Sequence, residues 1–240
     1  MTHTVFTNPR TGLFGLAVAA FALLTAAPAA HATDYGLLGL YKVDDAAVFE
    51  TALRAFEQDI ADRGCALSRE GMIVGEDGDI DIDAPSRFFW LTCAAPLLRG
   101  ADTRAVFAKL EAGAHRLALL EGEVFAGENG ASRVAGRAYI LKVSHYNNDD
   151  PDRRDADLAA LQATVATRAD RYKLEAFIAV SHAVGMTTPD EAVLIYYDDP
   201  QQGERFRGGN GDIMKAIGGF NKDHLTDFIY YFGAVRPDQE

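Results

Sequence analysis

Apolar and polar residues follow a regular order from Tyr35 to the middle of the chain. An apolar run, then large apolar residues three and four positions apart, predicts a strand followed by an amphipathic helix. Two further apolar runs on either side of a turn-rich segment predict a hairpin, and a second helical stripe follows. The predicted elements are strand 35–43, a helix with Phe49, Leu53, Phe56 and Ile60 on one face, strands 65–75 and 87–95, a helix with Phe107, Leu110, Ala114 and Leu117 on one face, and a short strand 121–126.

The same order starts again at Arg137. Its predicted elements are strand 137–146, a helix with Leu158, Leu161, Val165, Ala169 and Tyr172 on one face, strands 174–185 and 192–198, a helix near 212–221 and a closing strand 227–235. The glycine-rich stretch 127–135 is typical of a boundary. We therefore predict one repeat over 33–127, a linker over 128–136 and a second repeat over 137–240.

Each repeat has the element order βαββαβ of a ferredoxin-like unit, in which two helices cover one face of a four-stranded sheet. The other face of each sheet is too apolar to stand in water, so it must be buried elsewhere. The predicted fold class is therefore α+β, with two fused ferredoxin-like repeats whose antiparallel sheets pack face to face.

Residues 1–32 have the features of a secretory signal peptide. Arg10 precedes an apolar run from Leu13 to Leu24, and Ala30-His31-Ala32 forms a small-x-small cleavage site. The run is short for a membrane span, and no later run is long and apolar enough. We expect a periplasmic or secreted protein that has no membrane attachment after cleavage.

The composition is acidic. Removal of the first 32 residues, which hold one Arg and no acidic residue, changes the formal net charge from −12 to −13. Such a surface repels phosphate backbones, so nucleic acid is not an expected partner. The oligomeric state stays open.

Cys65 and Cys93 are the two cysteines of the chain. In an antiparallel hairpin whose turn centres on Asp79 they lie opposite each other, near disulfide distance. An oxidising compartment outside the cytoplasm favours the bond. We predict a disulfide, and a pair of buried thiols is the alternative.

The tripeptide Val-Ser-His occurs at the ends of two predicted strands, where it places His145 and His182. These strands run parallel with one strand between them, so their ends lie on one rim about 10 Å apart. Together with nearby Asp residues the pair could hold zinc or copper, and His145 with Tyr146 could act as a general base. Both histidines also alternate in phase with aliphatic residues, which favours a structural role, so we predict no metal site.

Other candidate ligand contacts come from the sheets. Lys142 lies on a face of mixed polarity, where it is either a base in a pocket or a rim residue that reaches solvent. Strand aromatics such as Tyr196 could line an apolar pocket between the sheets. The predicted ligand contacts are His145, His182, Lys142, Tyr146 and Tyr196, and no catalytic residue is assigned.

Two loops have suggestive compositions. The alternating acids of 76–83 lack the Gly and Glu positions of an EF-hand, so we interpret them as a solvated turn. Glycines at 208–211, preceded by Arg205 and Arg207, could cradle an anion at a helix start but match no nucleotide fingerprint. We predict a mobile loop there, with a lid as the alternative.

The arrangement of two such repeats over Tyr35–Pro237 resembles the α+β-barrel superfamily, which includes antibiotic-biosynthesis monooxygenases, stress-responsive barrel proteins and chlorite-dismutase-like haem proteins. The resemblance rests on element order and not on a motif. For the haem proteins it implies an axial His on the first helix of the second repeat and an Arg on the following strand. Segment 155–172 contains no His and 174–185 no Arg, so we expect no cofactor, with His182 left as another haem ligand to consider.

These observations predict an exported protein that binds a small apolar or aromatic molecule between its two sheets. The alternative is an oxidoreductase, lyase or isomerase on the same scaffold, using His145 or His182 with or without a metal or haem. A protein–protein module that recruits a partner at exposed sheet edges is a third hypothesis. Fold alone does not decide among them.

Overall fold

The computed structural model describes residues 34–100, 102–127 and 136–234. The predicted signal peptide and residues 128–135 of the predicted linker lie outside the described residues. The elements before the linker are β1 (Tyr35–Val43), α1 (Ala46–Ala61), β2 (Cys65–Gly78), β3 (Arg87–Cys93), α2 (Thr103–Ala108), a 3-10 turn (Leu110–Ala112) and β4 (Ala114–Gly127). Those after it are β5 (Ala138–Tyr146), α3 (Pro151–Ala166), β6 (Lys173–Val184), β7 (Glu191–Tyr197), α4 (Pro200–Gly209), α5 (Gly211–His224) and β8 (Leu225–Ala234).

The strands of each repeat form an antiparallel sheet, in the orders β4-β1-β3-β2 and β8-β5-β7-β6. This arrangement confirms the predicted fold class. The two sheets also join at both edges, because β2 pairs with β8 and β4 with β6, and the result is a closed eight-stranded barrel. Every described strand therefore has a neighbour on each side, and no sheet edge is left for a partner strand.

Within the described residues, three apolar clusters fill this architecture. The uncovered faces of the two sheets form the barrel interior, with Leu38, Trp90, Leu120, Leu141 and Leu194 among its buried residues. A second cluster lies between the first sheet and α1 and α2, and a third lies beneath the helices of the second repeat. Strands β1 and β3 are buried on both faces and read as continuous apolar runs, whereas β5 alternates between buried and half-buried residues.

Glycines give the large rings of the interior their space. A Cβ atom at Gly71 or Gly233 would stand 2.6 or 2.7 Å from the ring of Phe88, which is closer than van der Waals contact allows. Phe88 thus crosses over two neighbouring strands of the barrel. Any larger residue at these two glycines would force the ring out of place.

The predicted disulfide is confirmed. Cys65 and Cys93 are cross-strand partners in the β2–β3 pair, with 4.0 Å between their Cα atoms. The register required for the bond follows from a hairpin centred near Asp79, as the sequence predicted. The bond closes the end of the hairpin where β2 begins and β3 ends.

The helix predicted around Phe107 was too long. Helix α2 ends at Ala108, and Ala114 and Leu117, which were assigned to its apolar face, belong to the long strand β4. Pairing on both sides of β4, with β1 and β6, outweighs the helical spacing of these residues. The short strand predicted at 121–126 is accordingly 14 residues long.

The mobile loop predicted around Arg205 and Arg207 is also wrong, because residues 200–209 form helix α4. The side chain of Asp199 caps this helix by accepting a hydrogen bond from the Gln202 N–H at 2.6 Å, and Pro200 occupies the first turn. Phe206 anchors the helix, with 1% of its surface exposed. Asn210 separates α4 from α5, and the glycines on either side of it belong to the ends of the two helices.

The acidic segment between β2 and β3 is not simply a solvated turn. Its Asp residues are exposed, but Ile80 and Ile82 are half-buried and pack against the interior cluster. We call residues 79–86 the strap, because they cross the end of the barrel without regular secondary structure. The alternation of acidic and aliphatic residues that resembled a cation loop therefore has a packing role.

Candidate functional site

The alternation of β5 divides its C-terminal residues between two faces. Tyr139, Leu141 and Val143 point into the barrel, whereas Lys142, Ser144 and Tyr146 face the helices of the second repeat. Glu191, the first residue of β7, lies directly opposite Ser144. The strand pairing therefore brings three polar side chains of β5 to one carboxylate.

Glu191 accepts hydrogen bonds from all three side chains. One of its oxygens, Oε1, accepts hydrogen bonds from Lys142 Nζ and Ser144 Oγ, each at 2.6 Å. The other, Oε2, accepts one from the hydroxyl of Tyr146. Glu191 is 4% exposed and Ser144 is completely buried. We call these four residues the Glu191 cluster.

Electrostatics keep Lys142 and Glu191 ionised. Burial by itself lowers the pKa of Lys142, but the charge of Glu191 outweighs it and the pKa is raised. Burial by itself raises the pKa of Glu191, and Lys142 together with the three donated hydrogen bonds brings the pKa below its ordinary value. Burial and the neighbouring carboxylate raise the pKa of Tyr146, so its hydroxyl stays protonated and donates.

This ionisation predicts a pH effect. The pKa of Glu191 is lower in the folded protein than its ordinary value of 4.5, so its stabilising contribution is complete above that value. The contribution is lost as the pH falls further, through the folded pKa. In urea unfolding from neutral pH down to about pH 3, the stability difference between wild type and Glu191→Gln should shrink with acidification. A difference that stays constant over this range would contradict an ionised Glu191.

Helices α3 and α5 cover the cluster. The Arg154 guanidinium of α3 lies 4.2 Å from the centre of the Tyr146 ring, and Lys142 Nζ lies 5.8 Å from that of Phe220 on α5. Asn221 donates a hydrogen bond of 3.1 Å to the hydroxyl of Tyr230 on β8. Sheet and helices thus enclose polar groups among aromatic rings. We call the space between the second sheet and these two helices the cleft.

The two helix-covered layers are packed differently. Over the first sheet, outward-facing residues such as Leu37, Tyr41 and Phe89 are at most 1% exposed. Over the second sheet Tyr197, Val165 and Ile213 are also buried, but several neighbouring apolar residues of β5, β7, α3 and α5 are only half-buried. These residues are Ile140, Val193 and Ile195 on the sheet and Leu158, Leu161 and Ile217 on the helices. Apolar surface is therefore left incompletely covered inside the cleft.

The apolar residues of the barrel interior are covered more completely. Its aromatic and aliphatic residues are almost fully buried, and Tyr196 stands among them, 3% exposed, beneath the Arg137 guanidinium at 3.9 Å. Arg69 and Glu175, both nearly inaccessible, form an ion pair. The space between the sheets, which the sequence offered for a ligand, is occupied by the protein's own side chains.

The five predicted ligand contacts therefore lie in four places. Lys142 and Tyr146 belong to the cleft, and Tyr196 belongs to the barrel interior. His145 lies at the end of the barrel and contacts Asp227 of β8. His182 of β6 lies opposite Glu121 of β4. Strand β7 does separate β5 from β6 as predicted, yet the two histidines face different neighbours.

Sequence reasoning missed Glu191 and Asp227. Glu191 was placed in a turn because the predicted strand began at residue 192, and Asp227 carries no pattern of its own. Glu191 starts β7 opposite Ser144, and Lys142 and Tyr146 lie two positions before and after Ser144 on the same face. This grouping can be recognised only when the strand register is known.

Haem, which the resemblance implies, does not fit the residues of the cleft. Helix α3 has no His, and the imidazole in this layer is that of His224 on α5, whose Nε2 is bound to Asp157 at 2.8 Å. Both oxygens of Glu191 are already engaged, so the cluster orients no imidazole. In the described part of the chain, no group of three or more His, Cys, Asp or Glu residues is placed to hold a metal ion.

No family model and no curated protein matches this chain. Solved structures do match. An anthrone oxidase-like protein is 13% identical, with a TM-score of 0.51, and the match covers 85% of this chain and 92% of that one. A variant chlorite dismutase from Candidatus Nitrospira defluvii is 9% identical, with a TM-score of 0.56, covering 85% and 92%.

At these identities the likeness shows the fold alone. The chain has the duplicated ferredoxin-like α+β fold of chlorite-dismutase-like proteins, so the resemblance seen in the sequence is confirmed at that level. None of the described helices is long and apolar enough to cross a membrane. The site must be argued from its own residues.

Proposed function

We propose that the protein binds a small, largely apolar or aromatic molecule in the cleft of the second repeat. The observation that carries the proposal is the incomplete cover of apolar residues next to the Glu191 cluster. A largely apolar pocket with a few convergent polar groups is the usual form of a small-molecule site. Buried ionisable groups with shifted pKa values are also concentrated at functional sites.

The cleft suits a ligand better than the space between the sheets. Tyr139, Trp90 and Leu194 already fill the barrel at 3% exposure or less, so a guest there would have to displace packed side chains. In the cleft, Ile140 and Val193 are only half-buried, and burying their remaining apolar surface favours binding. The proposed site is therefore on the helix-covered face of the second sheet, and not between the two sheets as expected from the sequence.

Lys142 defines the polar end of the ligand. An ammonium group has three N–H donors, and one of them is directed to Glu191 Oε1. The others are available to an acceptor oxygen in the cleft, near the Phe220 ring. We infer that the ligand carries a carbonyl, phenolic or carboxylate oxygen on an apolar body.

Export belongs to the same proposal. The Cys65–Cys93 bond supports function in an oxidising compartment, because such bonds are rare in the reducing cytosol. We propose that the protein works in the periplasm or outside the cell, as its first 32 residues predict. N-terminal sequencing of the protein from its native host tests this, and an N-terminus that still begins with Met1 would contradict it.

Blocking the cleft should abolish binding. Ile140→Trp places a large ring between β5 and the helices, so the Kd of Nile red, a neutral apolar dye, should rise at least about tenfold in a fluorescence titration. Val193→Trp, on the neighbouring strand, should do the same. Circular dichroism confirms that each variant is folded.

Val74→Trp is the matched control, since Val74 is 69% exposed on β2. It adds the same ring to the surface and should leave the Kd unchanged. If Ile140→Trp and Val193→Trp, both folded, bind the dye as tightly as wild type does, the cleft is not the binding site. Mass spectrometry of small molecules that copurify with the protein then identifies the natural ligand.

A further inference from the structure

A second group of polar residues lies on the opposite face of the sheet from the Glu191 cluster. His145 stands between Ser144 and Tyr146 on β5, and its side chain therefore projects to the barrel side. Its cross-strand partner is Asp227 of β8, whose Oδ1 contacts the imidazole Nδ1. Both residues are at the barrel end that the strap crosses.

One nitrogen of this imidazole has no partner. His145 Nε2 is buried and forms no hydrogen bond with any of the described residues. In a neutral imidazole, a carboxylate that accepts the Nδ1 proton leaves the lone pair on Nε2. Histidines that bind a metal or another group commonly donate their other N–H to a carboxylate in this way. Buried polar atoms are nearly always paired in folded proteins, so this one calls for an explanation.

The strap covers this end of the barrel. It is tied to β8 by two backbone contacts at Phe228, where the Asp79 N–H donates to the carbonyl and Asp79 Oδ1 accepts from the amide, both at 2.9 Å. Phe228 follows Asp227 directly. At its other end, Ser86 donates its N–H to the Tyr41 carbonyl at 2.9 Å. Between these ties, Ile80 and Ile82 pack against the interior cluster, which includes Val143 and Ile229.

We propose that His145 and Asp227 form the recognition group of a second binding site, which is reached by displacement of the strap. Its ligand is a small molecule with an acidic hydroxyl group on an apolar body. The hydroxyl donates to the lone pair of His145 Nε2, and the apolar body takes the place that Ile80 and Ile82 now occupy. The strap suits this movement, because its middle is held by two half-buried aliphatic side chains and its polar anchors are at its ends.

This site is independent of the cleft. The alternation of β5 places Lys142, Ser144 and Tyr146 on one face and His145 on the other, so the thickness of the sheet separates the two ligands. A negative result for the cleft would not contradict the His145 site, and a negative result for the His145 site would not contradict the cleft. Asp227 is a positioning residue here, because it acts through His145.

The test uses phenol as the probe and the mature chain labelled with 15N-histidine. Proton–nitrogen correlation spectra identify the unprotonated nitrogen of His145 directly, and we expect Nε2. Phenol should shift this signal saturably as the hydroxyl donates to it. Ile82→Ala shortens the side chain that fills the site and should lower the Kd for phenol about tenfold, because the open strap becomes more populated.

Asp227→Asn and Ile140→Trp show whether a phenol-induced shift comes from binding at His145 or from binding in the cleft. Asp227→Asn replaces a carboxylate, which can only accept, with an amide that can accept or donate, so it should redistribute the proton between the two nitrogens and weaken the phenol-induced shift. Ile140→Trp blocks only the cleft and should leave the shift unchanged. An Nε2 signal that phenol fails to move in both wild type and Ile82→Ala overturns the proposal, and so does a proton found on Nε2 of the free protein.

Discussion

Lys142→Met should lower the free energy of unfolding by about 3 to 5 kcal/mol, the usual cost of removing one partner from a buried ion pair. The remaining partner, Glu191, is 4% exposed and cannot be rehydrated without opening the contact between sheet and helices. Ser144 and Tyr146 would still donate hydrogen bonds to it, but neither supplies a positive charge. Urea denaturation at neutral pH measures the effect.

Two comparisons test whether the unpaired charge of Glu191 causes the loss of stability in Lys142→Met. Adding Glu191→Met to Lys142→Met removes the stranded charge and should recover most of the lost stability, since apolar replacement of a whole buried pair is often neutral. The exposed pair of Lys173 and Asp198 is the surface control, and Lys173→Met should cost no more than about 1 kcal/mol. A Lys142→Met loss as small as that of the surface control would mean that Glu191 is neutral or hydrated.

The fold was readable from the sequence because its signals are local. The stripe Phe49, Leu53, Phe56 and Ile60 gave helix α1, and each of these residues is buried against the first sheet. The position of a turn predicted that Cys65 lies opposite Cys93, and the structure reaches this pairing with a bulge in β2 between Leu67 and Arg69. Element order then predicted two ferredoxin-like sheets with one bare face each.

Closure of the barrel could not be read in the same way. It depends on β2 pairing with β8 and β4 with β6, and these partners are far apart in sequence. No turn sets their register, and the strand sequences are compatible with several pairings. Face-to-face packing of two open sheets was therefore the closest prediction that the pattern allowed.

The candidate sites depend on pairing at the level of single residues. The alternation along β5 puts Lys142 and Tyr146 on one face, but it cannot supply Glu191, their partner on β7. A bulge between β4 and β6, at Glu121 and Gly122, sets His182 opposite Glu121. Bulges carry little sequence signal, so the cross-strand neighbour of His182 could not be foreseen.

Loss of the disulfide is the other large expected effect. Cys65→Ala with Cys93→Ala should lower the free energy of unfolding by about 3 to 4 kcal/mol, because the bond closes a loop with a sequence separation of 28 in the unfolded chain. Both sulfurs are in the core between α1 and the first sheet, so the alanines also leave a small cavity there. Urea denaturation of the double variant against wild type checks the value.

The same double variant separates global stability from function. The bond is at one end of the β2–β3 hairpin and the strap is at the other, so the anchors of the strap at Phe228 and Tyr41 should stay in place. The cleft lies in the other repeat. We therefore expect the folded double variant to bind Nile red and phenol with wild-type Kd values at low denaturant, although it unfolds at a lower urea concentration. A loss of either affinity in the folded state would mean that the hairpin transmits strain to the sites, and a midpoint equal to that of wild type would mean that the bond does not constrain the unfolded chain.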